Sequence, residues 1–173
     1  TNAFAVGDWG SIFHYNGRIW SEMSNSTTYF GFYGIWGTSA SDVFTVGAYG
    51  KILHYDGKNW NEMSRGTSNG LTDVWGSSGV DVFAVGSHGT ILHYDGVNWG
   101  AMKSGTTESI TSVWGSSSND VFALCFFHSI LHYDGTEWRT MYTFSSSDLH
   151  DIEGFSADDV FAVGNSGTIL HYD

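Results

Sequence analysis

The residues best suited to chemistry occur in a six-residue segment that recurs along the chain. The segments are SIFHYN (11–16), KILHYD (51–56), TILHYD (90–95), SILHYD (129–134) and TILHYD (168–173). A histidine beside a carboxylate could act as a general base or could ligate a metal ion. The same residues could also be a structural element that the fold needs once per repeat. The spacing of the segments bears on this choice.

The segments belong to an internal repeat. The DVF triplets at 42, 81, 120 and 159 begin 39 residues apart, and NAF takes their place in the first copy. Both repeated polar sets are predicted to be structural framework: His14, His54, His93, His132 and His171, and Asp42, Asp81, Asp120 and Asp159. A fixed period of about 40 residues indicates a repeat architecture.

Each period holds four short segments that are typical of β-strands. In the third copy they are LTDVWG (71–76), DVFAVG (81–86), TILHYD (90–95) and NWGAM (98–102). Gly, Ser and Asp separate them, and no stretch reads as an amphipathic helix. We therefore predict an all-β fold, a β-propeller of four-stranded antiparallel blades with a 39-residue repeat.

The repeat boundaries predict one propeller domain, or a propeller segment, over residues 1–173. Its five units cover about 1–28, 29–67, 68–106, 107–145 and 146–173, and the first and last blades are incomplete. Three explanations of the open ends are kept: a larger propeller, a five-bladed ring that lacks strands, or association of several copies. Further blades of the same protein and other copies of the chain are thus candidate partners.

Propeller geometry argues against a catalytic or metal-binding role for the histidines. On the KILHYD strand, Ile52 and His54 lie on one face, and Leu53 and Tyr55 on the other. Five equivalent histidines would lie one blade apart and could not converge on one zinc ion. We expect buried imidazoles with hydrogen-bonded partners, and an aspartate such as Asp56 that caps the following Asp-Gly turn. No cofactor is predicted, although the DVF aspartates leave calcium open.

These repeats resemble a group of known proteins. The sequence DVWGSS followed by DVFAVGSHGTILHYDGVNW (73–99) resembles bacterial β-propeller repeats of secreted and cell-surface proteins. The YDG-x-x-W element is similar to the Asp-box hairpin of BNR and sialidase-type propellers, but one residue tighter. The resemblance implies a propeller fold and a secreted or cell-surface location, and it leaves the function open.

Charge excludes some classes of partner. The chain has 18 acidic and 6 basic residues, which gives a net charge of −12. Binding to a phosphate backbone requires a basic patch, so nucleic acid is not expected as a partner. Membrane insertion is not expected either, because no run approaches the roughly 18 apolar residues of a membrane helix.

Function on a repeat scaffold is expected where the copies differ. The differences lie in the hairpins between the second and third strands, and in the loop at 24–34, which should emerge on the same rim. The predicted ligand-binding rim residues are Trp9, Tyr49, His88, Phe126, Phe127, Tyr29, Phe30, Phe32 and Tyr33. The alternative is that the loop aromatics begin the next strand and are buried between blades. In the fourth hairpin, Cys125 and His128 replace two glycines, which should reshape the turn.

The resulting prediction is a non-catalytic extracellular binding or adhesion module that displays a variable rim to a glycan or an extracellular protein. An alternative is a structural or assembly element of a larger surface protein or fibre. A sialidase-like glycoside hydrolase is a remote alternative, since such sites need an arginine cluster. Arg18 and Arg139 are expected on the rim opposite to Arg65, so no enzyme and no catalytic residue are predicted.

Overall fold

The computed structural model describes residues 2–25, 29–64, 66–126, 129–143 and 149–173. These residues form 18 β-strands in five antiparallel sheets. Three sheets have four strands, and the first and last have three. The predicted all-β propeller of four-stranded blades is therefore confirmed. Within the described ranges, no helix has the length and hydrophobicity needed to cross a membrane.

Each sheet is one repeat unit, numbered here from 1 to 5. Unit 1 contains β1 (Ala3–Val6), β2 (Ile12–Tyr15) and β3 (Trp20–Glu22). Unit 2 contains β4 (Phe32–Ser39), β5 (Asp42–Gly47), β6 (Ile52–Tyr55) and β7 (Trp60–Glu62). Unit 3 contains β8 (Leu71–Ser78), β9 (Asp81–Gly86), β10 (Thr90–Tyr94) and β11 (Trp99–Met102). Unit 4 contains β12 (Ile110–Ser117), β13 (Asp120–Cys125), β14 (Ser129–Tyr133) and β15 (Trp138–Thr143), and unit 5 contains β16 (Leu149–Ser156), β17 (Asp159–Gly164) and β18 (Ile169–Tyr172).

The turns that join the third and fourth strands follow the predicted chemistry. Asp95 Oδ1 accepts hydrogen bonds from the backbone N–H groups of Val97 (2.9 Å) and Asn98 (2.7 Å). These two bonds favour the ionised carboxylate and hold the pKa of Asp95 below its usual value. Asp56 and Asp134 make equivalent bonds, so the Asp-Gly cap prediction is confirmed.

The core lies between the units, and the sheets of units 2 to 4 bury both of their faces. We call the face toward the following unit the front face and the opposite one the back face. At the junction of units 2 and 3, Val46 and Ile52 of the front face pack against Val82 and Leu92 of the back face. Apolar residues on both sides of a strand are therefore a consequence of face-to-face stacking, as in buried strands generally.

The first strands of units 2 to 5 are neighbours and form the inner ring of the arc. A tryptophan of each inner strand packs on a glycine of the next. A Cβ added to Gly115 would lie 2.7 Å from Cη2 of Trp75, and one added to Gly154 would lie 2.6 Å from Cη2 of Trp114. Real Cβ atoms do not approach so closely, so this packing requires glycine.

Candidate functional site

Each repeated histidine is hydrogen-bonded to the residue that opens the second strand of its unit. In units 2 to 5, His Nε2 donates to Asp Oδ1 over 2.6–2.9 Å, in the pairs His54–Asp42, His93–Asp81, His132–Asp120 and His171–Asp159. In unit 1, His14 pairs with Asn2 at 2.9 Å. The two predicted framework sets thus form one network, and its imidazoles are partly exposed rather than buried.

The order of groups in this network does not suit nucleophilic catalysis. Hydroxyl groups donate to the second carboxylate oxygen, in the pairs Thr38–Asp42, Ser77–Asp81 and Ser116–Asp120. The carboxylate therefore lies between hydroxyl and imidazole, whereas a catalytic triad needs the imidazole to take the hydroxyl proton. Among the described residues, no group of three or more His, Cys, Asp or Glu side chains is placed to hold a metal ion. Calcium binding by the DVF aspartates, which the sequence left open, therefore has no cluster of ligands among these residues.

The predicted shared rim is formed by hairpins and interblade loops in alternation. The hairpins between the second and third strands contact the loops that link adjacent units. The N–H of Ala48 donates to the carbonyl of Gly31 over 3.0 Å, and the N–H of Gly89 donates to the carbonyl of Glu108 over 2.7 Å. Hairpin tips and linking loops therefore act as one continuous surface.

Five aromatic residues belong to the two hairpins and the linking loop that meet at the junction of units 1 and 2. We call them the rim patch: Trp9, Tyr29, Phe30, Tyr33 and Tyr49. The ring centroids of Phe30 and Tyr49 are 5.3 Å apart, edge to face. Trp9 and Tyr29 are 77% and 79% exposed. A group of exposed rings on one surface is unusual for a soluble domain and marks an interaction site.

Charged groups flank the rim patch. A Cβ added to Gly31 would lie 2.9 Å from Oδ1 of Asp8 and 3.0 Å from Cε1 of Tyr33, so carboxylate and ring meet at this glycine. Lys51 Nζ lies 5.7 Å from the centroid of Phe30 and 2.6 Å from Oε2 of Glu62. The exposed carboxylate and the ring faces are groups that attract a cation.

Two patch residues occupy a backbone conformation that side chains rarely adopt. Trp9 and Tyr49 have φ values of 60° and 57°, in the left-handed region. A non-glycine residue in this region costs roughly 1–2 kcal/mol. The chain thus carries large aromatic side chains at tip positions where glycine would be more stable. Such an exchange of stability for surface chemistry is expected at a functional site.

The structure places the other predicted rim residues differently. His88 occupies the same left-handed tip position in unit 3, and Phe126 is partly exposed at the end of β13. Phe127 lies outside the described residues. Phe32 was predicted to be a rim residue, but it begins β4 and is buried in the core between units 1 and 2. It therefore follows the alternative prediction, in which aromatic residues of the loop begin the next strand and are buried between blades.

The fourth hairpin is described only in part, because Phe127 and His128 lie outside the described residues. Only the second glycine of each pair has a positive φ, as in Gly50, while the first, as in Gly47, is extended. Cys125 replaces the extended one and is buried, and burial raises the pKa of its thiol. The N–H of Phe126 still bonds to the carbonyl of Ser109 over 2.8 Å, as its counterparts do.

One polar cluster on the inner ring was missed by sequence reasoning. Ser112 Oγ lies 3.2 Å from Asp73 Oδ2 and 2.8 Å from Asp151 Oδ1, so three consecutive units are linked. The N–H of Val113 also donates to Asp73 Oδ2 over 2.9 Å. The corresponding residue of unit 2 is Gly34. The only sign of this cluster in the sequence was one repeat position in the first strand, which is glycine, aspartate or serine in different units.

The buried position of this cluster perturbs its first carboxyl group. Burial raises the pKa of Asp73 to about 6, and the charge of Asp151 acts in the same direction. Hydrogen bonds from Val113, Val74 and Ser112 oppose the shift. One serine proton cannot serve two carboxylates at once. A proton on Asp73 allows it to donate to Ser112, which then donates to Asp151.

The two arginines that the structure describes, Arg18 and Arg139, belong to different units, 1 and 4. Arg139 is paired with Glu137 on the exposed turn before β15. Arg18 lies in the corresponding turn of unit 1, and Arg65 is outside the described residues.

Comparison with known proteins gives the fold but no family. No family model matches the chain, and no curated protein matches it. Similar solved structures include YCF48 from Cyanidioschyzon merolae, with a TM-score of 0.77 and 16% identity over 99% of this chain and 66% of that chain. YCF48 bound to D1 peptide has a TM-score of 0.75 and 18% identity over 99% of this chain and 60% of that chain. The computationally designed Ika4 protein has a TM-score of 0.68 and 17% identity over 86% of this chain and 94% of that chain. The chain thus spans less than two thirds of the two YCF48 chains that it matches.

Proposed function

We propose that this chain is a protein-binding propeller module and that the rim patch is its binding surface. The observation that carries the proposal is the occurrence of several exposed aromatic side chains in the hairpins and linking loop of one unit junction, with Trp9 and Tyr49 at the two hairpin tips. Tyrosine and tryptophan provide large contact areas at low entropic cost. A similar propeller, YCF48, has been solved bound to a peptide, which supports a protein partner.

The chemistry of the patch suggests a basic, extended segment as the partner. The net charge is −12 and Asp8 lies beside the ring of Tyr33, so a lysine or arginine would meet both a carboxylate and π faces. Binding of such a segment should weaken as salt is raised, because screening reduces the attraction between exposed charges.

A second candidate is glycan recognition, which the exposed indole of Trp9 and phenol of Tyr29 favour. Flat, solvent-exposed rings can stack on the apolar faces of sugars. The secreted or cell-surface location and the absence of catalysis remain predictions from the sequence.

One experiment tests the proposal and separates the two candidates. The chain is screened in parallel against a phage-displayed random peptide library and a glycan array, and hits are quantified by calorimetry. Tyr49→Gly and Trp9→Gly should weaken peptide binding at least about tenfold, since loss of an aromatic hot-spot residue typically costs about 2 kcal/mol or more. Ser166→Gly, at the equivalent tip of unit 5, is the matched control. Peptide hits that neither patch variant weakens contradict the proposal, and glycan hits alone support the second candidate.

A further inference from the structure

Three side chains with rings occupy equivalent hairpin tips on consecutive units. We call Trp9, Tyr49 and His88 the tip row. Their backbone angles are nearly equal, with φ values of 60°, 57° and 58° and ψ values of 26°, 30° and 38°. All three residues are exposed. Because the backbone angles match, each side chain leaves its own sheet in the same direction, and units 1 to 3 present one ring each along the rim.

The tips of units 2 and 3 are held from behind by the linking loops. A Cβ added to Gly50 would lie 2.2 Å from the carbonyl oxygen of Thr67, and one added to Gly89 would lie 2.1 Å from that of Thr106. Glycine after the tip residue therefore permits an approach that another side chain would prevent. A row fixed in this way loses little freedom when it binds a ligand that is itself rigid.

The stacking of the units sets the spacing of the tip row. The strands that carry the tip hairpins pack against each other: Val46 of β5 shares a core cluster with Leu92 of β10, and Ile12 of β2 shares one with Leu53 of β6. Sheets packed face to face lie about 10 Å apart. Neighbouring tips are therefore expected at a spacing of about 10 Å as well.

We infer that the tip row binds a partner segment in the polyproline II conformation, with every third residue of the segment on one tip. This helix has three residues per turn and rises about 3.1 Å per residue, so residues i, i+3 and i+6 share one face at a spacing of about 9.3 Å. A β-strand has a similar rise, but its residues i and i+3 lie on opposite faces. The inference rests on the proposed function and specifies the conformation of its extended partner.

The chemistry of the tips suits such a segment. Each tip side chain combines a flat ring with an N–H or O–H group, in the indole of Trp9, the phenol of Tyr49 and the imidazole of His88. Proline-rich segments dock on aromatic surfaces, and their carbonyl groups make no internal hydrogen bonds, so these carbonyls can accept bonds from the tips. Asp8 precedes Trp9 and would attract a basic residue at the unit 1 end of the segment.

The surface between the tips disfavours an α-helical partner. Residues i and i+7 of an α-helix also lie about 10 Å apart on one face. A helix bound in this way needs apolar surface for its i+3 and i+4 residues as well. The linking loop between the tips of units 2 and 3 reads GTSNG (66–70) and offers no large apolar side chain.

The first test compares four synthetic peptides by calorimetry with the whole chain. The probe is a lysine followed by Pro-Ala-Ala-Pro-Ala-Ala-Pro, made in both directions. Its controls are a peptide of the same composition with prolines at every second position, a peptide with glycine in place of each proline, and a helical peptide with leucines seven residues apart. The probe should bind at least about tenfold tighter than each control. A control that binds as tightly as the probe overturns the inference.

His88 separates this inference from the proposed function, because it lies outside the rim patch. His88→Gly should weaken binding of the probe at least about threefold. Ser166→Gly, at the equivalent tip of unit 5, is the matched control. A probe shortened by the Pro-Ala-Ala triplet farthest from its lysine should lose its dependence on His88 and keep its dependence on Trp9.

The variants give distinct outcomes for the two proposals. Binding that Trp9→Gly weakens and His88→Gly leaves unchanged overturns the tip row and leaves the rim patch as the binding surface. Binding that neither variant weakens overturns both proposals. Library peptides that bind through Trp9 and Tyr49 while the probe does not bind overturn the inference alone.

Discussion

The stability of this protein should increase on mild acidification because of Asp73. Its pKa is about 6 in the folded chain against 3.8 for a free aspartate. Between these values the folded state binds the proton more tightly than the unfolded state. The free energy of unfolding therefore falls as the pH rises through this window, and rises as the pH falls.

The size of the effect follows from the same two values. Lowering the pH from about 7 to about 5 should add roughly 1 kcal/mol from Asp73, and the full shift corresponds to about 3 kcal/mol. For a chain of this length, roughly 1 kcal/mol changes the Tm by about 2–4 °C. Urea unfolding, followed by tryptophan fluorescence at several pH values, measures the effect.

A variant isolates the contribution of Asp73. Asp73→Ser introduces the residue that unit 4 carries at this position, and it retains all eight histidines. The difference in unfolding free energy between parent and variant should change by roughly 1 kcal/mol between about pH 7 and pH 5. Asp158→Ser, at an exposed site in the turn before β17, is the control. A parent–variant difference that is constant across this range would refute the reasoning.

Four further predictions concern the framework, the rim and metal dependence. Tyr49→Gly should raise the free energy of unfolding by roughly 1 kcal/mol, since it relieves a left-handed tyrosine; lower stability in denaturant titration would contradict this. Gly115→Ala should lower stability by about 1–3 kcal/mol, because its Cβ would lie 2.7 Å from Trp75. Gly100→Ala, whose added Cβ would have its nearest neighbour at 4.0 Å, is the comparison for any general glycine effect. His93→Ala should lower stability by about 1–3 kcal/mol, because Asp81 Oδ1 loses its hydrogen-bond donor. Chelators should leave the Tm unchanged, and a chelator-sensitive Tm would show that metal binding contributes to stability.

The repeat period and strand chemistry were sufficient to predict the architecture. The 39-residue spacing and the VFAV and ILHY runs predicted both the four-stranded sheets and their two buried faces. The Asp95 turn cap was also predictable, because an aspartate before glycine bonds to nearby backbone whatever the tertiary context. These features depend on local chemistry that recurs in each copy.

Features that depend on contacts between distant strands were harder to predict. His93 and Asp81 were each assigned to the framework, but their constant separation of 12 residues was not recognised as a pairing. Ser112 gave no sign of bridging two aspartates, each 39 residues away, because only stacking brings the three side chains together. Phe32 and Phe30 are two residues apart in one aromatic loop, and only the start of β4 decides which is buried.

The packing of Trp75 on Gly115 also has a consequence for how such a chain can evolve. The inner strands β8 and β12 carry both parts of this contact, a tryptophan for the unit that follows and a glycine for the unit before it. A gene duplication of one whole repeat therefore supplies a unit that already fits its neighbours on both sides. Insertions shorter than a repeat would place the ring and the glycine out of phase. Selection should thus permit changes in blade number while keeping the length of each inner strand constant.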